Sequence, residues 1–346
     1  MGKEWADVDA IQELTLFDTP QGKPISLADK FQFPPMTVLD RRQGEWRARR
    51  AAWLSLGMQS ELGRDQGAYT TLTSAHREDW FAKTLRGEFE NNTLGIQAAG
   101  GISVFDPVVC EYVYRWFCPD GGRILDPFAG GSVRGVVASH LNRSYVGVDI
   151  SATQVAANYE QATICGPCPP QWVAADSYDY LTEALDEGGM HGSDRPDFLF
   201  SCPPYGDLEV YSDHPADISN MTYPTFLAMY RRIIGKACLL LKSNRFAAWV
   251  ISDFRDRKGF YRNFAAATIE AFEAGGLRLY NDAVILDPVG SAALRAERQF
   301  RATRKMGRTH QQLLVFVKGD PKQATIDCGG GLVVHEYDDA GTRKAP

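Results

Sequence analysis

The chain has 346 residues, 44% of them hydrophobic and 23% charged, with a formal net charge of −6. This length and composition indicate a folded protein of one or two domains and exclude disorder over the whole chain. Because the net charge is negative, contact with a nucleic acid would depend on a local basic surface. The sequence contains neither an apolar run of the roughly 18–20 residues that span a bilayer nor a signal-peptide core. We therefore expect a cytoplasmic protein.

The seven cysteines are an odd number scattered over a large chain, which argues against a disulfide scaffold. Cys165 and Cys168 have the two-residue spacing of a metal or redox pair. No second such pair accompanies them, and the sequence lacks a His pair at zinc-site spacing. We favour a loop after a helix over a zinc or redox site, and we predict no metal.

Residues 1–99 form a predicted N-terminal accessory region, with a loosely structured arm over residues 1–35 and a long connector over 66–103. Between them we predict a helix within residues 40–65, with Trp46 and Trp53 on its apolar side. Its basic face is either solvated or in contact with nucleic-acid phosphates. That face consists of Arg41, Arg42, Arg47, Arg49 and Arg50.

From about residue 104, apolar runs alternate with helical patterns. Such alternation predicts a mostly parallel sheet covered by helices on both faces. The last strand is expected to be antiparallel, because no convincing crossover helix precedes it. The predicted strands are residues 123–126, 145–149, 171–174, 197–201, 246–252, 278–286 and 312–318.

A glycine-rich turn follows the first of these strands, between Asp126 and Ser132, and leads into a helix. Glycine lets the backbone approach a ligand closely, and a helix N-terminus offers unpaired N–H groups. About 20 residues later, the next strand ends at Asp149, which is suitably placed to bind a ribose. Asp176 follows the third strand and suits either the exocyclic amine of a base or a helix N-cap.

The fourth strand runs into Cys202-Pro203-Pro204-Tyr205. Two prolines stop the strand ladder and leave carbonyl groups pointing into the crevice beside an aromatic ring. A planar amine could donate to these carbonyls while its ring stacks on Tyr205. The alternative is a turn that only ends the strand.

Together these motifs resemble those of the S-adenosylmethionine-dependent amino-methyltransferases of DNA, and most closely the DNA methylases encoded by bacteriophages. The resemblance covers residues 100–320 and leaves 321–346 as a tail that contributes little to the core. It implies a Rossmann-like methyltransferase fold, S-adenosylmethionine as cofactor, and methylation of adenine N6 or cytosine N4 in DNA. The implied setting is DNA modification in a bacterial cell or a phage-infected host, with or without a restriction partner.

The resemblance also assigns residues to the site. The catalytic tetrapeptide is Cys202, Pro203, Pro204 and Tyr205, and a short segment at Phe105 and Asp106 closes over the methionine end of the cofactor. The remaining cofactor-binding positions are Asp126, Phe128, Gly130, Gly131, Ser132, Asp149, Ile150, Asp176 and Ser177.

The implied mechanism is direct transfer to an amine that donates to the Pro203 carbonyl and to the side chain of residue 202. The target base is either flipped out of the duplex or presented in single-stranded DNA, and it stacks on Tyr205. The family has Asp, Asn or Ser where this chain has Cys202, and a thiol is a poor acceptor. The target base is therefore open, and covalent attack by Cys202 on a pyrimidine is a minor alternative. The same motifs are compatible with an RNA base methyltransferase, and with a catalytically weak DNA-binding protein that retains the cofactor.

Two further segments complete the prediction. Residues 207–220 are too polar for a regular element and suit a lid or substrate loop. A second basic segment lies before the last strand, with basic residues every three positions that a helix would align on one side for phosphate contact. Its predicted nucleic-acid-binding residues are Arg295, Arg298, Arg301, Arg304, Lys305 and Arg308.

Overall fold

A computed structural model describes residues 35–59, 105–186, 189–206, 214–256, 258–288 and 292–329. The strands in these ranges are β1 (Val38–Asp40), β2 (Arg123–Asp126), β3 (Ser144–Asp149), β4 (Gln171–Ala174), β5 (Phe198–Ser201), β6 (Arg245–Ile251), β7 (Arg278–Leu286) and β8 (His310–Lys318). The helices are α1 (Gly44–Leu54), α2 (Pro107–Phe117), α3 (Val133–His140), α4 (Ala152–Glu160), α5 (Ser177–Leu185), α6 (Tyr223–Leu240), α7 (Phe264–Ala274), α8 (Ala292–Thr303) and α9 (Pro321–Asp327).

The eight strands form one sheet in the order β1-β7-β8-β6-β5-β2-β3-β4. All neighbouring pairs are parallel except those made by β8, which runs antiparallel to both β6 and β7. The predicted Rossmann-like methyltransferase fold is therefore confirmed, including its antiparallel last strand. The three-residue strand β1 was not predicted, because it is too short to show a period.

Alternating residues of the central strands enter two hydrophobic cores. In β6, Phe246, Ala248 and Val250 face one core, and Ala247, Trp249 and Ile251 face the other. Helices α1, α2, α3 and α9 cover the first core, and α5, α6 and α7 cover the second. Both faces of the sheet are therefore buried, as continuous apolar strands require.

Part of the predicted tail belongs to the first core. Asp320 caps α9 through the Lys322 N–H, and Ala324 of this helix is fully buried. Asp327 forms an ion pair with Arg245 of β6. The prediction that residues after 320 contribute little to the core is wrong for α9, while residues 330–346 lie outside the described ranges.

Helix α1 is anchored on α2 through two buried carboxylates. The Trp46 indole donates to Asp106 at 3.1 Å, and the Trp53 indole donates to Glu111 at 2.6 Å. Arg49 also forms an ion pair with Glu111. Since buried carboxylates are costly without partners, these donors account for the orientation of α1.

Most arginines of the predicted basic face form ion pairs with acids of the protein itself. Arg41 pairs with Asp106 at 2.7 Å and also with Asp287. Arg42 pairs with Asp40 at 2.7 Å. The interpretation of these arginines as a solvated or phosphate-binding face is therefore wrong for Arg41 and Arg49, which pair with acids of the protein itself. Arg47 is exposed.

No helix in the described ranges combines the length and apolar character needed to cross a bilayer.

Glu111→Gln should lower the free energy of unfolding by about 3 kcal/mol, because it leaves the Arg49 guanidinium without its buried counter-charge. Urea denaturation of the full chain measures the change. Arg42→Gln removes an exposed ion pair and should leave stability close to that of the wild type. Equal effects of the two substitutions would contradict a buried anchor for α1.

Candidate active site

The sheet order reverses between β2 and β5. From β2 the chain moves outward through β3 and β4, and it then returns to place β5 on the other side of β2. The carboxyl ends of parallel strands meet at one edge, and a crevice for ligands forms at such a switch point. The glycine turn after β2 and the tetrapeptide after β5 lie on either side of it.

The glycine turn is held in one conformation by the neighbouring strand. The Gly130 N–H donates to the Asp149 carboxylate at 2.8 Å, and Asp149 also accepts from the Ser151 N–H at 2.9 Å. Gly130 has φ +52°, a region that favours glycine. On the opposite side, the Asn158 amide donates to the Gly130 carbonyl at 2.7 Å. The glycine turn and Asp149 are therefore joined directly, and the predicted ribose contact of Asp149 stays a prediction.

Ser132 begins α3 directly after the turn. Its hydroxyl is completely buried, and no residue in the described ranges accepts from it or donates to it. Buried polar atoms are nearly always paired, so the orphaned hydroxyl is compatible with the predicted cofactor contact of Ser132, which stays a prediction. Gly131 precedes it, while Phe128 packs its ring against Tyr230 and Trp249.

Asp126 is the centre of a buried hydrogen-bond network rather than an open ligand site. It accepts from the Phe128 N–H at 3.1 Å, from the Tyr145 hydroxyl at 2.7 Å, from Arg134 and from Ser201. An ionised carboxylate offers about four acceptor positions, so these donors occupy all of them. We infer that Asp126 orients the site through its neighbours, and its predicted direct contact with a cofactor is not supported by this geometry.

Arg134 is the counter-charge in this network, and the sequence analysis missed it. Burial opposes its charged form, but the Asp126 carboxylate outweighs burial and raises the guanidinium pKa. Burial first, and the Asp126 charge second, raise the pKa of the Tyr145 hydroxyl above its usual range, which keeps it a donor. Arg134 also donates to the Phe128 carbonyl and, at 2.8 Å, to the Ala129 carbonyl. A lone arginine in the apolar run Val133–Ala138 was the available signal, because a buried charge requires a partner.

The segment before α2 is joined to the same network. The Phe105 ring lies edge-on to Phe200 at 5.8 Å, and the Arg134 guanidinium lies 4.9 Å from the centre of the ring. Asp106 is only 5% exposed and caps α2 through the Val108 N–H at 2.9 Å. Because Asp106 also receives the donors of α1, it connects that helix to the site. Its predicted cofactor contact stays a prediction.

Asp176 and Ser177 begin α5 at the end of β4. One Asp176 oxygen accepts from the Tyr178 and Asp179 N–H groups at 2.7 and 3.2 Å, so the helix-cap interpretation is confirmed. In the described ranges no donor reaches its other oxygen, Oδ2, which leaves that atom for the predicted amine. The Ser177 hydroxyl donates to the Pro127 carbonyl and ties α5 to the glycine turn. Ile150 follows Asp149 and is half-buried.

The tetrapeptide follows β5 as an irregular corner. The Cys202 sulfur lies 3.7 Å from the Tyr205 hydroxyl, which also accepts from the Gln311 amide at 3.3 Å. The Tyr205 ring lies 6.5 Å from both Phe254 and Phe264. Gln311 was not predicted, although polar residues at the start of the apolar strand β8 were a signal. Pro203 is buried and Pro204 half-buried.

Ser201 cannot replace Cys202 as an acceptor for a target amine. It is the last residue of β5, is completely buried and donates to Asp126. The side chain offered at the first position of the corner is therefore the Cys202 thiol.

The predicted basic segment divides into two parts. Helix α8 ends at Thr303, and Arg304 adopts φ +59°, so the predicted alignment of Arg304 and Lys305 with the helical row is wrong. Arg301 is 78% exposed and pairs with Glu297 at 2.7 Å. Arg308 donates to the His310 carbonyl at 3.1 Å. The side chains of Arg295 and Arg298 lie outside the described part of the chain.

Other predicted features are described only in part. Residues 207–213 of the predicted substrate loop lie outside the described ranges, while Ile218–Asn220 form a 3-10 helix with Ile218 buried. The Cys165 and Cys168 thiols contact different acceptors, the Gln161 carbonyl and the Asn142 amide oxygen. In the part of the chain that the structure describes, no group of three or more His, Cys, Asp or Glu residues could hold a metal ion.

No family model matches the chain, and no curated protein matches it. Its fold is similar to that of solved methyltransferases at low identity. TrmN from Thermus thermophilus is 16% identical with a TM-score of 0.40, over 61% of this chain and 48% of that one, about half its length. A SAM-dependent methyltransferase from Agrobacterium tumefaciens is 14% identical with a TM-score of 0.42, over 64% of each chain. Magnesium protoporphyrin IX methyltransferase from Synechocystis is 12% identical with a TM-score of 0.38, over 71% of this chain and 92% of that one. Likenesses this distant carry no argument about activity.

Asp126→Asn should lower the free energy of unfolding by about 3–5 kcal/mol, because it leaves Arg134 as a buried charge without a counter-charge. Urea denaturation of the full chain measures the loss. Asp179→Asn is the matched control, since Asp179 is exposed in the first turn of α5 and contributes about 0.3–1 kcal/mol through the helix dipole. A loss of under about 1 kcal/mol for Asp126→Asn would contradict the network.

Proposed function

We propose that this protein is an S-adenosylmethionine-dependent methyltransferase that modifies the exocyclic amine of adenine or cytosine in DNA. One observation carries the proposal. The sheet order brings the glycine turn, Asp149 and Asp176 to the same edge as the Cys202–Tyr205 corner, on both sides of the switch point. A cofactor crevice and a pocket for a planar amine are thereby adjacent.

The residues at this edge fit the cofactor. The orphaned Ser132 hydroxyl and the turn at Gly130 suit polar atoms brought close to the backbone. Asp149 is half-buried and held by two N–H groups, which presents its carboxylate at the crevice for ribose hydroxyl groups. The remaining Asp176 oxygen suits an amine of the adenine ring. S-adenosylmethionine, when bound, supplies a methyl group activated by its sulfonium.

The protein's own contribution to the reaction is alignment. The Pro203 carbonyl accepts a hydrogen bond from the target amine and directs its lone pair, while the Tyr205 ring stacks on the base. Stacking on an aromatic side chain is worth about 1–3 kcal/mol per base. Holding the amine in register with the methyl donor removes the entropy cost of an encounter and supplies much of the rate.

A carboxylate or hydroxyl at position 202 would help to hold the target amine. With Cys202 at this position, the alignment depends more on backbone acceptors. A thiol is a weak acceptor, and the Ser201 hydroxyl is already donated to Asp126. The Pro203 carbonyl is therefore the main acceptor for the amine. The Gln311–Tyr205 hydrogen bond supports the same pocket from β8 by fixing the Tyr205 ring.

A nucleic acid is the proposed substrate because exposed cations accompany the pocket despite the negative net charge, and DNA is proposed over RNA because the motifs resemble those of DNA amino-methyltransferases. Arg301 and Arg304 are exposed in the segment that precedes β8, the strand that supplies Gln311. Such side chains suit the phosphates of a duplex from which the target base is flipped.

Transfer of a radiolabelled methyl group should occur to mixed-sequence duplex DNA and not to RNA of the same sequence. Nucleoside digestion and mass analysis then identify the modified base. Label in RNA alone would support the RNA methyltransferase instead. Label in neither, together with retained binding of cofactor and DNA, would support a catalytically weak binding protein.

Asp149→Asn should weaken cofactor binding by about a hundredfold in calorimetry, because a charged acceptor of two hydroxyl groups is lost. Tyr205→Ala should leave cofactor affinity unchanged within about threefold and abolish transfer. Tyr205→Phe keeps the ring and should retain transfer. Unchanged cofactor affinity in Asp149→Asn would refute the ribose contact.

A further inference from the structure

A short hairpin follows β6 at the edge of the sheet that carries the tetrapeptide. Its arms are residues 254–256 and 258–262, and they pair through the bridge between Arg255 and Tyr261. The Arg262 N–H donates to the Phe254 carbonyl at 2.9 Å, and the Asp256 N–H donates to the Phe260 carbonyl at 2.8 Å.

Side chains fix the conformation of the hairpin. Asp256 accepts from the Phe260 N–H at 2.9 Å. Arg255 donates to the Gly259 carbonyl at 2.9 Å, and its guanidinium lies 3.8 Å from the centre of the Tyr261 ring. Gly259 has φ +95°, which only glycine adopts readily. The tip is therefore preorganised.

This preorganised tip displays an aromatic ring to solvent. Phe260 is 71% exposed, the highest value among the exposed aromatic side chains of the described ranges. Single exposed apolar residues are common, but this one stands on an arm whose conformation is fixed by side chains. Lys305 lies so close to Gly259 that a Cβ there would collide with its amine, so Lys305 borders the hairpin.

The hairpin that carries the exposed ring is rich in basic residues, and Lys305 borders it. Among the described residues of 254–262 the one acid is Asp256, which is tied to the hairpin backbone. A nucleic acid matches an apolar side chain within a cationic surface, because its phosphates bind cations and its stacked bases can take up a flat ring between them. The cations of the hairpin are Arg255, Lys258 and Arg262, and Lys305 lies against Gly259.

The base of the hairpin contacts the proposed target pocket. The Phe254 ring lies 6.5 Å from the Tyr205 ring and 5.9 Å from the Tyr223 ring. The Arg262 guanidinium lies 4.2 Å from the centre of the Tyr223 ring. Phe260 lies two residues before Arg262 in the chain, toward the tip of the hairpin. Along an extended arm this separation is about 7 Å. That distance corresponds to about two stacked base pairs, which rise about 3.4 Å each.

We propose that Phe260 enters the base stack of duplex DNA and fills the space that the flipped target nucleotide leaves, while the surrounding cations contact the flanking phosphates. The inference rests on the proposed function, because it requires a base extruded from a duplex. Flipping costs stacking energy, and an inserted apolar ring recovers part of it. Phe260 is thus assigned a positioning function in the extruded state and touches none of the reacting atoms.

The test compares binding of the full chain to three labelled mixed-sequence duplexes by fluorescence anisotropy: intact DNA, DNA with one central abasic site, and intact RNA. The abasic site provides the gap without the cost of flipping. The wild-type chain should bind the abasic duplex about tenfold more tightly than intact DNA. Phe260→Ala should abolish this preference while binding intact DNA within about twofold of the wild type, and Phe260→Trp should retain it.

The matched control is Tyr280→Ala, which removes an exposed aromatic ring from the early part of β7, toward the opposite edge of the sheet. It should keep the full preference, and all variants should remain folded at the assay temperature. A wild-type chain that binds DNA without preferring the abasic duplex, or a preference that survives in Phe260→Ala, would overturn the inference and leave the proposed function standing. Failure to bind DNA, or tighter binding to the RNA duplex, would overturn both.

Discussion

The buried ion pair between Asp126 and Arg134 is the constraint on which the rest of the site depends. Two charges taken out of water are tolerated only when hydrogen bonds satisfy their remaining groups, and here Tyr145, Ser201 and backbone atoms of the glycine turn do so. These partners belong to β2, α3, β3 and β5. The pair therefore fixes the distance between the two sides of the crevice before any ligand arrives, and preorganisation of this kind underlies catalysis by alignment.

Two further buried carboxylates, Asp106 and Glu111, connect the N-terminal part of the chain to the site. Asp106 and Glu111 each accept an indole N–H and an arginine from α1 or from the residues just before it. Phe105, beside Asp106, contacts Arg134. Helix α1 is thus connected to the glycine turn through three side chains, although more than 70 residues separate them in the sequence.

The sequence predicted those features that depend on local pattern. Buried parallel strands are continuous apolar runs, so seven strands were found within about two residues of their ends. Features decided by distant partners could not be predicted. The direction of the Asp126 carboxylate depends on Tyr145 and Ser201, which are 19 and 75 residues away. The end of α8 depends on a left-handed Arg304 that the repeating arginines did not signal. The basic residues Arg41 and Arg49 resembled a phosphate-binding face because their acidic partners lie on another part of the chain.

Because all acceptor positions of Asp126 are occupied, the network also limits which substitutions can be accepted during evolution. Replacing either Asp126 or Arg134 alone passes through a state with a buried, unmatched charge, whereas replacing both by apolar residues of similar volume avoids it. We therefore expect positions 126 and 134 to covary among relatives of this chain and to be inherited as a unit. Asp149 and Asp176, whose carboxylates accept from backbone N–H groups, are under no such mutual restriction and can diverge independently.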